Sequence, residues 1–208
     1  MSKPYDPRDR FYRKARQEGL RARSAYKIEE IDRRFGLFRK GQAVLDLGAA
    51  PGGWLQIIAR RVGPSGVVVG IDVQPIRGMG PNVRTAVLDI FSPVLEAELA
   101  RLHPGPWDVI TSDMAPKTTG VKTTDEARSL ELADQALRLC GALLRPGGAF
   151  VAKVFEGGDF ETYLARVRRS FARVKLVRPE ATRGRSFEIY VVAQGHRADG
   201  RAGSGGSP

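Results

Sequence analysis

The stretch Val44-Leu45-Asp46-Leu47-Gly48-Ala49-Ala50-Pro51-Gly52-Gly53-Trp54 constrains this chain more than any other. A short apolar run ends near an acid, passes through a turn of small residues and enters a helical pattern at Leu55, Gln56, Ile57, Ile58 and Ala59. In a parallel α/β sheet such a joint faces a ligand, because the strand end, the glycine turn and the helix N-terminus let the backbone approach it closely. The spacing is not G-x-G-x-x-G, and Pro51 stiffens the turn where a pyrophosphate would need free backbone N–H groups. Asp46 suits a cationic or hydroxyl-bearing ligand better than a phosphate. Asp46, Gly48, Gly52 and Trp54 are therefore read as ligand-binding positions.

The remainder of the chain alternates strand-like and helix-like segments. Strands are expected at 43–47, 67–71, 83–88, 107–111 and 149–155, with two closing strands at 174–177 and 186–193. Helices are expected at 24–36, 54–62, 93–102, 125–144 and 160–171, and residues 6–18 form a short helix or an arm. Ser24 is placed to cap the first long helix, and Gly36 to end it. Strands separated by helices imply a doubly wound parallel sheet, with ligands outside the carboxyl ends of its strands. Asp46, Asp72, Asp89 and Asp113 all fall at such ends and should surround one crevice. Asp72 suits the hydroxyls of a ribose, and Asp89 an adenine amino group. Adenosine without a pyrophosphate, carrying a positive charge toward acidic strand ends, describes S-adenosylmethionine.

A second constellation involves lysines. Lys153 interrupts the apolar strand Phe150-Val151-Ala152-Lys153-Val154-Phe155, where an unpaired charge is costly. Asp113 ends the neighbouring strand, and Glu188 lies inside Phe187-Glu188-Ile189-Tyr190. Lys27 stands early in a helix, against the helix dipole, between Arg21, Arg23 and the apolar stripe Tyr26, Ile28, Ile31. The functional reading gives Lys153 the proton of a substrate hydroxyl; the structural one is a salt-bridge network.

Charge distribution narrows the substrate. Of the net charge of +11, residues 1–40 carry +7 and residues 160–185 carry +6, while residues 41–159 carry −2. A slightly acidic centre with basic flanks favours a polyanion such as nucleic acid. One cysteine, Cys140 in a leucine-rich helical pattern, leaves neither a disulfide framework nor a cysteine nucleophile. Two histidines, His103 and His196, give little for a metal, and no metal is expected. No stretch reads as a signal peptide or a membrane span, so the expected location is the cytoplasm.

With these motifs in place, the chain resembles the FtsJ/RlmE family of ribosomal RNA 2′-O-methyltransferases from about Tyr5 to Gly195. The resemblance is carried by Arg23-Ser24-Ala25-Tyr26-Lys27, Asp46–Trp54, Ser112-Asp113-Met114-Ala115-Pro116, Lys153-Val154-Phe155-Glu156-Gly157 and Arg185-Ser186-Phe187-Glu188-Ile189-Tyr190. It implies a Rossmann-like class I S-adenosylmethionine-dependent methyltransferase fold, α/β, with a seven-stranded mostly parallel sheet and helices on both faces. It also implies the tetrad Lys27, Asp113, Lys153 and Glu188, with Lys153 catalytic, Asp113 and Glu188 holding it, and Lys27 placing the target ribose. Cofactor contacts are implied at Gly52, Trp54, Asp72, Asp89 and Asp113. The implied substrate is a uridine ribose in the A loop of large-subunit ribosomal RNA, within the large subunit. No protein partner or membrane is implied, and a monomer is expected. The expected organisation is a basic N-terminal extension (1–40), a methyltransferase domain (41–195) and a disordered Gly/Ser-rich tail (196–208). Two other readings remain open: a non-catalytic RNA-binding assembly factor, and an O-methyltransferase of another substrate.

Overall fold

A computed structural model describes residues 10–182 and 187–197. Its elements in order are α1 (Arg10–Gln17), α2 (Ala25–Phe35), β1 (Ala43–Leu47), α3 (Gly53–Val62), β2 (Val67–Asp72), β3 (Val83–Val87) and α4 (Leu95–Leu102). There follow β4 (Trp107–Ser112), α5 (Lys122–Leu143), β5 (Leu144–Phe155), α6 (Phe160–Ser170), β6 (Phe171–Val177) and β7 (Glu188–His196). The strands form one seven-stranded sheet in the order β3-β2-β1-β4-β5-β7-β6. Only β7 runs against its neighbours; it pairs antiparallel with both β5 and β6. The α/β sheet expected from the alternating pattern is present, with helices on both faces.

Strand alternation divides the core in two. Leu45 and Leu47 of β1, with Ile110, Phe150 and Val154, pack under α4, α5 and α6. Val44, Val68, Val109 and Val151 pack under α1, α2 and α3. Residues 10–40 thus belong to the second core layer, through Ala15, Leu20, Ile28, Ile31, Leu37 and Phe38. Close seating of α3 requires a glycine in β2: a Cβ at Gly70 would meet Leu55 Cδ1 at 2.7 Å. Asp32 ties the end of α2 down by accepting the Phe38 N–H (3.0 Å) and pairing with Arg61 of α3 (3.1 Å).

Three local expectations need correction. Ser24 does not cap α2 with its side chain; its backbone is already helical, and its carbonyl instead accepts the Trp54 Nε1–H at 2.9 Å. Helix α5 starts three residues early, because the Asp125 carboxylate draws in the N–H groups of Thr119 (2.7 Å) and Gly120 (3.2 Å). Arg145–Gly148, read as the turn after that helix, is incorporated into β5, where the pairing with β4 shifts register. Arg145 is held there by Asp108 at 2.5 Å. Strand β7 runs on to His196, one residue beyond the expected end of the domain. The Gly/Ser-rich tail from 198 and all of Arg183-Gly184-Arg185-Ser186 lie outside the described residues.

Candidate active site

The sheet topology gathers the acids at one end. β1 neighbours both β2 and β4, so Asp46, Asp72 and Asp113 leave adjacent parallel strands. β5 lies next to β4, and its Lys153 stands opposite Tyr190 of β7 in the ladder. Lys153 is 6% exposed, and its Nζ reaches two atoms of Asp113: the backbone carbonyl at 2.7 Å and Oδ1 at 3.1 Å. Asp113 is itself anchored to β1, its N–H donating to the Leu47 carbonyl at 3.1 Å.

The other two tetrad members pair with each other. Lys27, 7% exposed on α2, donates to Glu188 Oε2 at 2.7 Å. The salt bridge expected to bring Glu188 to Lys153 is therefore made to Lys27. Tyr190 joins the two pairs. Its hydroxyl donates to Asp113 Oδ1 at 2.7 Å and accepts from Lys27 Nζ at 3.1 Å. Burial pushes the phenol well above its ordinary range, and the neighbouring Asp113 and Glu188 charges push the same way. Tyr190 thus stays neutral and remains a donor to Asp113. In the sequence Tyr190 stands inside the motif Phe187-Glu188-Ile189-Tyr190, where nothing assigns it a role. The available signal was parity: Glu188 and Tyr190 are two apart in a strand and so share a face.

The crevice acids differ in environment. Asp46 is fully buried between Gly70 and Thr111, with Oδ1 accepting the Thr111 hydroxyl at 2.7 Å and Oδ2 left without a partner. Burial, reinforced by the charges of Asp113 and Asp72, raises its pKa to about 8 against the opposing Thr111 hydrogen bond. Asp72 accepts the Ala50 N–H on Oδ2 and the Gln74 N–H on Oδ1, both at 2.9 Å, which ties the glycine turn to the end of β2. Asp89 is exposed and accepts the Phe91 N–H at 2.9 Å. Val73 and Phe91, both exposed, follow these two acids and give the crevice an apolar rim. Sequence reading passed over both, since isolated apolar residues after strand ends carry no periodicity.

The turn residues divide by role. The Ala50–Pro51 peptide is cis. Gly52 has φ +104°, and its Cβ position is crowded by Met79, Arg21 and Ile76. Gly48 is needed for packing: a Cβ would meet Met114 Cγ at 2.5 Å, and its N–H is already bonded to the Ile71 carbonyl at 3.0 Å. The Trp54 indole is 3% exposed and lies 5.9 Å from the Tyr190 ring, so its side chain is core. What Trp54 offers a ligand is its backbone N–H in the first turn of α3.

Asp46 also governs a stability prediction. Its pKa is raised on folding, so between about pH 4 and 8 the native state holds a proton that the unfolded chain has released. Stability should fall as pH rises through that window. The expected result is that Asp46→Asn, which cannot ionise, flattens the urea-midpoint profile between pH 5 and 8. An unchanged slope would place the titration elsewhere.

Comparison with known proteins places the chain in a family. The profile of the FtsJ-like methyltransferase family matches residues 20–196. The chain is 58% identical over 204 residues to a protein named ribosomal RNA large subunit methyltransferase E from Anaeromyxobacter sp. (strain Fw109-5), covering 97% of this chain and 74% of that one. It is 57% identical over 199 residues to the protein of the same name from Myxococcus xanthus (strain DK1622), covering 95% and 93%. Among solved structures, a putative ribosomal RNA methyltransferase from Plasmodium falciparum superposes with a TM-score of 0.75 at 25% identity, covering 85% of this chain and 98% of that one. By the match over residues 20–196 and by its kinship with these relatives, the chain belongs to the FtsJ-like methyltransferase family.

Proposed function

We propose that this methyltransferase acts on the 2′-hydroxyl of a ribose in large-subunit ribosomal RNA, at a uridine of the A loop, in the cytoplasm. The observation that carries the reading is the contact of Lys153 with Asp113. Its nitrogen has three tetrahedral positions besides the bond to Cε, and both polar contacts it makes among the described residues go to Asp113. One tetrahedral position of the nitrogen is left for a substrate hydroxyl. Tyr190 and Lys27 steady the arrangement from behind, since Tyr190 and Lys153 both donate to Asp113 Oδ1.

The crevice residues fit S-adenosylmethionine. Asp46 Oδ2 is buried and lacks a donor, so it either stays neutral or meets a donor group that a ligand brings. Asp46, Asp72 and Asp89 would hold the cofactor, together with the turn at Gly52 and the first N–H groups of α3. When bound, the cofactor supplies a methyl group on a cationic, electrophilic sulfur. Lys153 orients the acceptor oxygen and takes its proton, while Asp113 fixes the nitrogen in place.

The RNA reading is supported by where the basic flanks meet. Residues of α1, α2 and the link between them touch the segment after β6: Arg10 pairs with Glu180 at 3.8 Å, the Glu180 N–H donates to Glu30 at 2.8 Å, and Arg23 donates to the Ala181 carbonyl. Arg13, Lys14 and Arg16 of α1, Arg33 and Arg34 of α2, and Arg173, Lys175 and Arg178 of the β6 segment are all exposed, so the two basic flanks meet through these contacts. Such a surface suits phosphates. Among the described residues no helix is long and apolar enough to cross a membrane.

The test uses S-adenosylmethionine labelled in its methyl group, with large subunits and bare ribosomal RNA as acceptors and digestion to nucleosides. Label in 2′-O-methyluridine is expected. Label on a base, or none in RNA, would overturn the reading; in the second case a non-catalytic assembly role or another acceptor would take its place.

A further inference from the structure

Phe91 and Phe187 are the exposed phenylalanines among the described residues. Phe91 belongs to the crevice rim beside Asp89. Phe187 lies elsewhere and is 56% exposed, immediately before Glu188 at the end of β7 where the tetrad gathers. Its backbone is held in place, with its carbonyl accepting the Glu156 N–H at 3.1 Å. Strand parity places Tyr190 and Val192 in the core layer of α1–α3, and Ile189 and Val191 in that of α4–α6. Phe187 has the parity of Ile189, and Lys122 of α5 meets it from that side, with Nζ 4.8 Å from the ring centroid. Lys122 is also exposed, and it is paired with Glu126 at 3.5 Å.

The mouth of the site therefore has two unlike walls. Lys27, on α2, stands on one side. An exposed aromatic ring with a cation at its face stands on the other. Lys153 stands opposite Tyr190 in the ladder, and Tyr190 is three positions from Phe187 along its own strand, about 10 Å at about 3.3 Å per residue. That is the scale of one nucleotide and its neighbour. A phenyl ring that is more than half exposed does nothing for the core, yet its backbone is fixed as a platform would need, and Lys122 covers one face only. Splayed bases of single-stranded RNA stack on such rings, and an adjacent lysine meets the phosphate that follows.

We propose that Phe187 is the stacking platform for an RNA base at the mouth of the active site, with Lys122 contacting a neighbouring phosphate. The inference rests on the RNA-methyltransferase reading and adds a specific base contact to it. Initial rates with large subunits at saturating S-adenosylmethionine, for the unsubstituted protein and for Phe187→Ala, Phe187→Leu and Phe187→Trp, test it. The alanine and leucine variants should raise KM for RNA about tenfold, with kcat and the KM for S-adenosylmethionine little changed. The tryptophan variant should restore the KM. Because the ring is exposed, folding is not at stake. A fluorescein-labelled RNA fragment carrying the A loop, followed by anisotropy, should lose affinity in parallel. Unchanged KM in Phe187→Ala, or a leucine variant as good as phenylalanine, overturns the stacking role. A KM rise on subunits without loss of fragment affinity also overturns it, by assigning the ring to a protein contact. If the unsubstituted protein labels no RNA, the parent reading fails; if it labels RNA and Phe187 variants change nothing, only this inference fails.

Discussion

Lys153→Ala is expected to lower kcat by about 100- to 10,000-fold while leaving S-adenosylmethionine affinity within a fewfold of the original, the range for removing a positioned acid–base group. The prediction follows from the bonding around Asp113. Without the lysine, Asp113 Oδ1 still accepts the Tyr190 hydroxyl at 2.7 Å, and its N–H still holds the Leu47 carbonyl. The carboxylate is thus neither stranded nor released from β4, so the fold and the crevice acids should persist. What disappears is the nitrogen whose remaining position meets the substrate hydroxyl. Equilibrium binding of labelled cofactor, measured beside single-turnover rates, separates the two effects. A loss of cofactor affinity matching that of Asp72→Ala would mean that Lys153 serves the architecture and not the reaction. Lys153→Met, which keeps most of the buried volume, guards against a packing artefact, and should be as inactive as the alanine variant.

The contrast between what was legible in the sequence and what was not has a physical basis. Lys153 announced itself because a charge within an apolar run needs a partner, and Asp113 at the next strand end was the nearest candidate. The strand-end acids were legible because apolar runs of four to six residues between turns mark buried parallel strands. Tyr190 was hidden by the same rule, since a tyrosine inside Glu188-Ile189-Tyr190-Val191-Val192 counts as apolar and its hydroxyl goes unnoticed. The choice of Lys27 over Lys153 as partner for Glu188 was also out of reach. It depends on how α2 lies over the sheet, a contact between residues 161 apart in the chain. Adjacency to the glycine turn puts Trp54 beside the ligand through its ring, its backbone or both, and only the backbone reading remains open. The indole turns inward instead, because the Ser24 carbonyl offers its N–H a buried acceptor. The same contact explains why Ser24 is not a side-chain cap: α2 is positioned by its backbone against α3.

Gly48→Ala is expected to cost about 2–5 kcal/mol of stability and to remove most activity even where the protein remains folded. Two effects add. The residue has φ +72°, a left-handed conformation that costs a Cβ-bearing residue about 1–2 kcal/mol. The new methyl group would also lie 2.5 Å from Met114 Cγ, 2.9 Å from its Cα and 3.0 Å from its N, and such overpacking costs about 1–3 kcal/mol. Activity suffers more because Met114 directly follows Asp113. Relief of the clash must push the end of β4 away from β1, against the Asp113 N–H bond to Leu47, and so moves the carboxylate that holds Lys153. Urea midpoints and kcat/KM should therefore fall together in this variant, unlike Lys153→Ala. Adding Met114→Ala to Gly48→Ala removes the Cγ contact but neither the backbone contacts nor the φ strain, so partial recovery is expected. Recovery to the level of Met114→Ala alone would show the methionine side chain to be the whole obstacle. Simple addition of the two losses would show that turn and strand end do not press on each other, and that Gly48 is required for the ligand and not for the packing of Asp113's strand.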